Sequence, residues 1–201
     1  MARAFDDLPR LSLEEFLQFD DGTDIRYELR DGWLHAMNPP RPGHNIITTN
    51  IVKIWDRVSP DLERCRSIVT PGLVINVARD DYYIPDVAYA CEQLADARYI
   101  KEPAVVAEVL SPSTERDDMR TKLPLYASVP SIMEIWLVGS RERWVRVHVR
   151  QGDSWTVGLP ATGSGSVESR FLGGPVLLDD IYRGSGVPAD MPARGHHLQP
   201  D

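Results

Sequence analysis

The chain has 201 residues, a length that predicts one domain able to bury a core without disulfides or a structural metal. Hydrophobic residues at 42% and charged residues at 26% exclude a wholly disordered chain. With 22 Lys and Arg against 30 Asp and Glu the net charge is −8, which excludes a broadly basic nucleic-acid coat but not a local basic patch. No run approaches a membrane-spanning apolar length and the segment Met1–Asp7 lacks a signal-type apolar core, so a cytoplasmic protein with no membrane partner is expected. Cys65 and Cys91 make neither a disulfide framework nor a zinc site.

In chain order, Ser12-Leu13-Glu14-Glu15 is a capping-box pattern that opens a short helix, stopped by Asp20-Asp21-Gly22. Arg26–Arg30 and Trp33–Met37 flank Asp31-Gly32, a two-residue hairpin signal. Asn38–Gly43 reads as an extended loop. Ile47, Ile51, Ile54, Trp55 and Val58 then give one apolar helical face ending at Ser59-Pro60. Strands follow around Arg66–Val69, Leu73–Val77, Asp86–Ala90 and Ala104–Leu110, punctuated by Pro71-Gly72 and Asp80-Asp81. A helical stretch from Thr114 to Ser128 contains Pro124, which predicts a late start or a kink. Ile132–Val138 and Trp144–Arg150 read as a strand pair, with weaker strands at Trp155–Leu159 and Val167–Phe171, a flexible connection at 161–166 and a frayed tail from Gly184. The order predicts an α/β (α+β) domain over 1–183, with a central mixed sheet flanked by helices and a flexible tail over 184–201.

Two short segments carry the chemistry. Pro85 fixes the backbone before Asp86 and leaves a carboxylate at a strand end. In Ala104–Leu110 the period of two sets Val105, Ala107 and Val109 on one face and Val106, Glu108 and Leu110 on the other, so Glu108 is a carboxylate in an apolar strand. A divalent cation or a cationic partner would offset that cost. Asp86, Glu108 and the carbonyl of Val109 make a hard oxygen set suited to Mg²⁺ or Mn²⁺. Lys122, beside the apolar stripe of Met119, Leu123, Tyr126 and Ala127, can lean over the Glu108 strand to orient a water or neutralise charge on a phosphate.

Pro85-Asp86, Glu108–Thr114, Asp118, Lys122–Ala127 and Glu134–Val138, with Leu13–Phe16, Tyr27–Gly32 and His44 upstream, resemble the bacterial "putative restriction endonuclease" family of the PD-(D/E)XK nuclease superfamily over residues 10–182. The resemblance implies a restriction-endonuclease-like core, Asp86 and Glu108 as metal ligands, Glu28 as a further acidic member, His44 as a pocket residue contacting substrate, DNA as substrate, and a homodimer. The lysine two positions after the acidic residue in the superfamily motif is here Leu110, so its role passes to Lys122. Gly139-Ser140 and Val129-Pro130-Ser131 depart from the family pattern outside the metal set.

Each residue also has a plain structural role open to it. Asp86 can be a turn residue, and Glu108 can pair with Lys122 without a metal. Glu28 can pair with Arg26 or Arg30 on an exposed strand face, His44 can be a helix cap, and Tyr126 reads as core. Arg146, His148 and Arg150 alternate with Val145, Val147 and Val149; the favoured reading is a solvated outer face, the other a phosphate contact. His196-His197 and the Asp-Asp pairs read as incidental, turn or solubility features. The leading functional expectation is a metal-dependent endonuclease hydrolysing DNA phosphodiester bonds. The alternatives are a catalytically inactive nuclease-fold binding or assembly module, or a phosphodiesterase on a smaller nucleotide.

Overall fold

The computed structural model describes residues 10–58, 63–92, 97–111 and 118–190, and builds a mixed α and β architecture around a central mixed sheet. Ser12 caps α1 (Leu13–Gln18) with both halves of the capping box formed: its hydroxyl accepts from the Glu15 amide, and its own amide donates to the Glu15 carboxylate. Asp31 at φ 49° and Gly32 at φ 80° make the left-handed turn that joins β1 (Tyr27–Arg30) to β2 (Trp33–Ala36). These strands continue into a four-stranded sheet, ordered β2-β1-β5-β4, with β4 (Leu73–Asn76) and β5 (Asp81–Tyr83). The punctuation expected at Asp80-Asp81 hides β5. Asp80 is left-handed and its carboxylate accepts from the Leu13 amide, whereas Asp81 is buried and accepts from the Asp31 amide, tying the hairpin to its neighbour.

α2 (Pro42–Val58) starts inside the segment expected as loop, because proline at the first helical position lacks only a donor that the helix would leave unused. Its residues Ile47, Ile51, Ile54 and Trp55 are buried on one side of the central sheet. That sheet is ordered β10-β9-β8-β7-β6-β3, with β3 (Arg66–Val69), β6 (Val87–Ala90), β7 (Pro103–Leu110), β8 (Glu134–Gly139), β9 (Trp144–Gln151) and β10 (Ser154–Val157); β11 (Ala161–Thr162) lies along β9. β7 and β8 run parallel and the other pairs antiparallel. A parallel pair needs a crossover connection. Part of it is a π-turn, Asp118–Lys122, running into α3 (Leu123–Ser128), with Pro124 in the first turn of α3 rather than at a kink. The first part of the helix expected from Thr114, residues 114–117, lies outside the described residues.

One sheet face packs Val87, Tyr89, Val105, Ala107 and Val109 against α2, the ribbon of β12 (Ser166–Ser169) and β13 (Gly174–Leu177), and α4 (Leu178–Ile181). The other sets Ala88, Val106, Leu110, Ile135 and Leu137 against Tyr126 of α3. Several expectations are corrected. β11 occupies part of the 161–166 connection, while β13 and α4 carry too little periodic signal to be read from sequence. Of the tail expected from 184, residues 184–190 are described and pack on the domain: Val187 is buried and its carbonyl accepts from Arg143 Nε; residues 191–201 lie outside the described residues. His196-His197 lies outside the described residues. Cys65 and Cys91 form a disulfide, since the antiparallel register that pairs Arg66 with Ala90 sets them opposite one another. The basic face of β9 is not a solvated one: His148 is buried, and Arg150 donates to the carbonyls of Ala127, Val129 and Ile132 while lying over Trp155. A cation there satisfies carbonyls that the end of α3 leaves open.

Candidate active site

β6 and β7 are antiparallel, so the start of one lies beside the end of the other, and Val87 opposite Ala107 is the last ladder pair at that end. Asp86 and Glu108 are the next positions, where the strands part. Asp86 is anchored through its main chain, whose carbonyl accepts from the Thr70 amide, and through its side chain, whose Oδ2 accepts from the Val109 amide at 2.7 Å. His44, in the first turn of α2, brings Nε2 to 3.2 Å from the same oxygen. Burial, the largest single influence on His44, pulls its pKa down; the hydrogen bond and charge of Asp86, with Asn45 and the Val109 main chain nearby, outweigh it and leave the pKa above its ordinary value. His44 is therefore biased toward the imidazolium.

The second group converges on Lys122, whose Nζ lies 2.9 Å from Glu28 Oε1 and 3.2 Å from Glu108 Oε1. All three residues are nearly sealed from solvent, at 1% exposure for Glu28, 4% for Glu108 and 5% for Lys122. Tyr126, one turn after Lys122, donates its hydroxyl to Glu108 Oε1 at 2.6 Å. Glu28 Oε1 also accepts from the Ile84 amide at 3.0 Å, and its Oε2 takes Arg30 at 2.7 Å. The Arg30 guanidinium in turn lies over the Tyr83 ring, whose hydroxyl burial and the neighbouring Asp81 carboxylate push up to about 12, so it stays a neutral phenol.

Glu28, Glu108 and Lys122 thus form one cluster, in which Glu28 is as central and as buried as Glu108. Asp86 and His44 form a second, and the two meet at the Glu108–Val109 peptide. Arg30 pairs with Glu28, whereas Arg26 donates to Thr70 Oγ1. Tyr126 as the donor to Glu108 is the contact that sequence reasoning missed. Its signal was the i,i+4 spacing from Lys122. The donor chemistry of Asp86, Glu108 and the Val109 carbonyl suits a hard divalent cation that keeps several waters. Among the described residues no three His, Cys, Asp or Glu side chains gather into a fuller metal cage.

The fold is nuclease-like. A solved structure described as a "putative nuclease belonging to DUF820" from Anabaena variabilis matches with a TM-score of 0.68 at 17% identity, over 86% of this chain and 97% of that one, a likeness of fold. The family model described as "Putative restriction endonuclease" matches residues 13–172, and the chain belongs to that family. A relative from Synechocystis sp., "Uncharacterized protein slr1290", is 30% identical over 179 residues, covering 88% of this chain and 93% of that protein. No helix among the described residues is long and apolar enough to cross a membrane.

Proposed function

We propose that the chain is a metal-dependent endonuclease hydrolysing DNA phosphodiester bonds, with its catalytic residues in one domain. The observation that carries this reading is Lys122, a buried ammonium held between Glu28 and Glu108 one peptide away from the Asp86 carboxylate. Asp86, Glu108 and the Val109 carbonyl would hold Mg²⁺ or Mn²⁺. When bound, such an ion supplies Lewis-acid polarisation of the phosphate and a lowered pKa for a coordinated water. Glu28, fixed by Arg30 and the Ile84 amide, positions Lys122; the ammonium orients the attacking water and offsets charge developing on the phosphate. His44, its pKa raised by Asp86, contacts the phosphate from the α2 side. The proposed assembly is a cytoplasmic homodimer.

A second reading rests on the same contacts. Because Lys122 and Tyr126 already satisfy Glu108, the cluster is a complete structural ion-pair network, as an inactive nuclease-fold module would need. Cleavage of plasmid and oligonucleotide DNA and of small cyclic and linear phosphodiesters, with Mg²⁺ or Mn²⁺, separates the readings. The nuclease reading expects metal-dependent DNA cleavage lost in Asp86→Asn and Glu108→Gln. It also expects thermal stability that rises with Mn²⁺ in the wild type, by about 2.7 kcal/mol at a hundred times Kd, and not in those variants. No cleavage together with a melting curve indifferent to metal would support the module; turnover of the small diesters alone would reassign the substrate.

A further inference from the structure

Four arginines of the described residues are half-buried, and three of them have acceptors: Arg30 on Glu28, Arg143 on Asp179 and the Val187 carbonyl, and Arg150 on three carbonyls of the α3 region. Arg146 does not. Its Nε is buried with no hydrogen-bond partner, and no carboxylate lies in ion-pair contact with it among the described residues. A buried donor without an acceptor costs free energy that a ligand oxygen would recover. Two positions along the same face, His148 Nε2 is a second buried nitrogen without a partner. Burial, helped by the Arg146 charge, lowers the His148 pKa to about 4, so at neutral pH the imidazole adds no charge of its own.

The sheet register places this pair relative to the site. Glu108 is opposite Leu137, and Leu137 is opposite Arg146, so the three share one row and one sheet face. Two strand spacings separate Glu108 from Arg146, about 10 Å between backbones. An arginine side chain covers much of that span, and its planar fork matches phosphate oxygens. On the other flank of Arg146, β10 ends at Val157 opposite His148 and β11 resumes at Ala161 opposite Val145, so the ladder along that edge is interrupted at Arg146 and Val147. A chain of net charge −8 also requires local cations to hold a polyanion.

We propose that Arg146, backed by His148, binds a phosphate of the polynucleotide strand next to the one that Lys122 faces. This rests on the nuclease reading. A competing surface is the open groove of about 250 Å³ between α2 and α4, lined by Lys53, Arg57 and Arg183, although Arg183 is already paired with Asp180.

The test is fluorescence anisotropy of labelled single-stranded and duplex DNA over a salt series in EDTA, where metal-dependent cleavage is suppressed. Arg146→Gln, and Arg146→Met as a second variant that keeps the apolar stem, should each lower the slope of log K against log salt by about 0.9 for duplex or about 0.7 for single strands. Arg146→Lys should restore the slope, and Arg57→Gln should leave it unchanged. An unchanged slope in folded Arg146 variants overturns the proposal. So does a slope lost at Arg57 and kept at Arg146, or a fall in Tm without a change in slope. Metal-dependent cleavage by the wild type is scored separately: cleavage with an unaltered Arg146 slope removes this inference alone, whereas no DNA binding and no cleavage remove the nuclease reading with it.

Discussion

Replacing Lys122 by Met is the most informative perturbation of the cluster. The ammonium lies 2.9 Å from Glu28 and 3.2 Å from Glu108, and neither carboxylate reaches bulk water. Removing one partner of a buried ion pair costs about 3–5 kcal/mol, because the remaining charge is left desolvated. Glu28 keeps Arg30 and the Ile84 amide, and Glu108 keeps Tyr126, so the backbone frame persists while two carboxylates confront each other. Urea unfolding at neutral pH reads this directly. For a domain of this size the neutral-pH loss corresponds to a Tm about 6–20 °C lower. Glu28→Gln combined with Lys122→Met should cost less than the sum of the single changes, since the two share one contact. A Lys122→Met protein as stable as the wild type would refute a buried lysine bridge.

Three further outcomes follow from other contacts. His44 has a folded pKa above its ordinary 6.5, so the His44–Asp86 pair contributes fully below about that pH and its contribution is lost as the pH rises through the folded value; Asp86→Asn should bring the His44 pKa below 6.5 in an NMR titration, and an unmoved value would sink the assigned cause. His148 behaves oppositely. With its folded pKa near 4 it is neutral when buried, so stability holds above 6.5 and falls by about 3 kcal/mol as the pH drops toward 4, a slope that His148→Leu should abolish in acid-denaturation curves. Replacing Cys65 and Cys91 by Ala opens a loop of 26 residues and should cost about 3.5 kcal/mol through chain entropy, measured by urea unfolding under non-reducing conditions, where an unchanged midpoint would argue against the bond.

Features set by neighbours in the chain were legible from residues alone. The Ser12 capping box, the Asp31-Gly32 turn and the apolar face of α2 need only contacts within a few residues, and each appears where its pattern lies. The period of two in β7 likewise placed Glu108 on the face opposite Val109 before any partner was known. What surrounds Glu108 was legible only in part. Lys122 is expected over its strand and the resemblance adds Glu28, but the residues alone leave Glu28 equally open to an exposed strand face beside its own arginines; it is buried in the cluster because β1 pairs with β5 and delivers it to the Ile84 amide and to Lys122. Asp81 looked like a turn residue and ties two strands together; Arg150 looked like solvated charge and closes the end of α3. Each of these depends on which edges of distant strands meet. A polar residue's sequence context gives its donors and acceptors, but only the packing of other elements around it decides whether water or another side chain satisfies them.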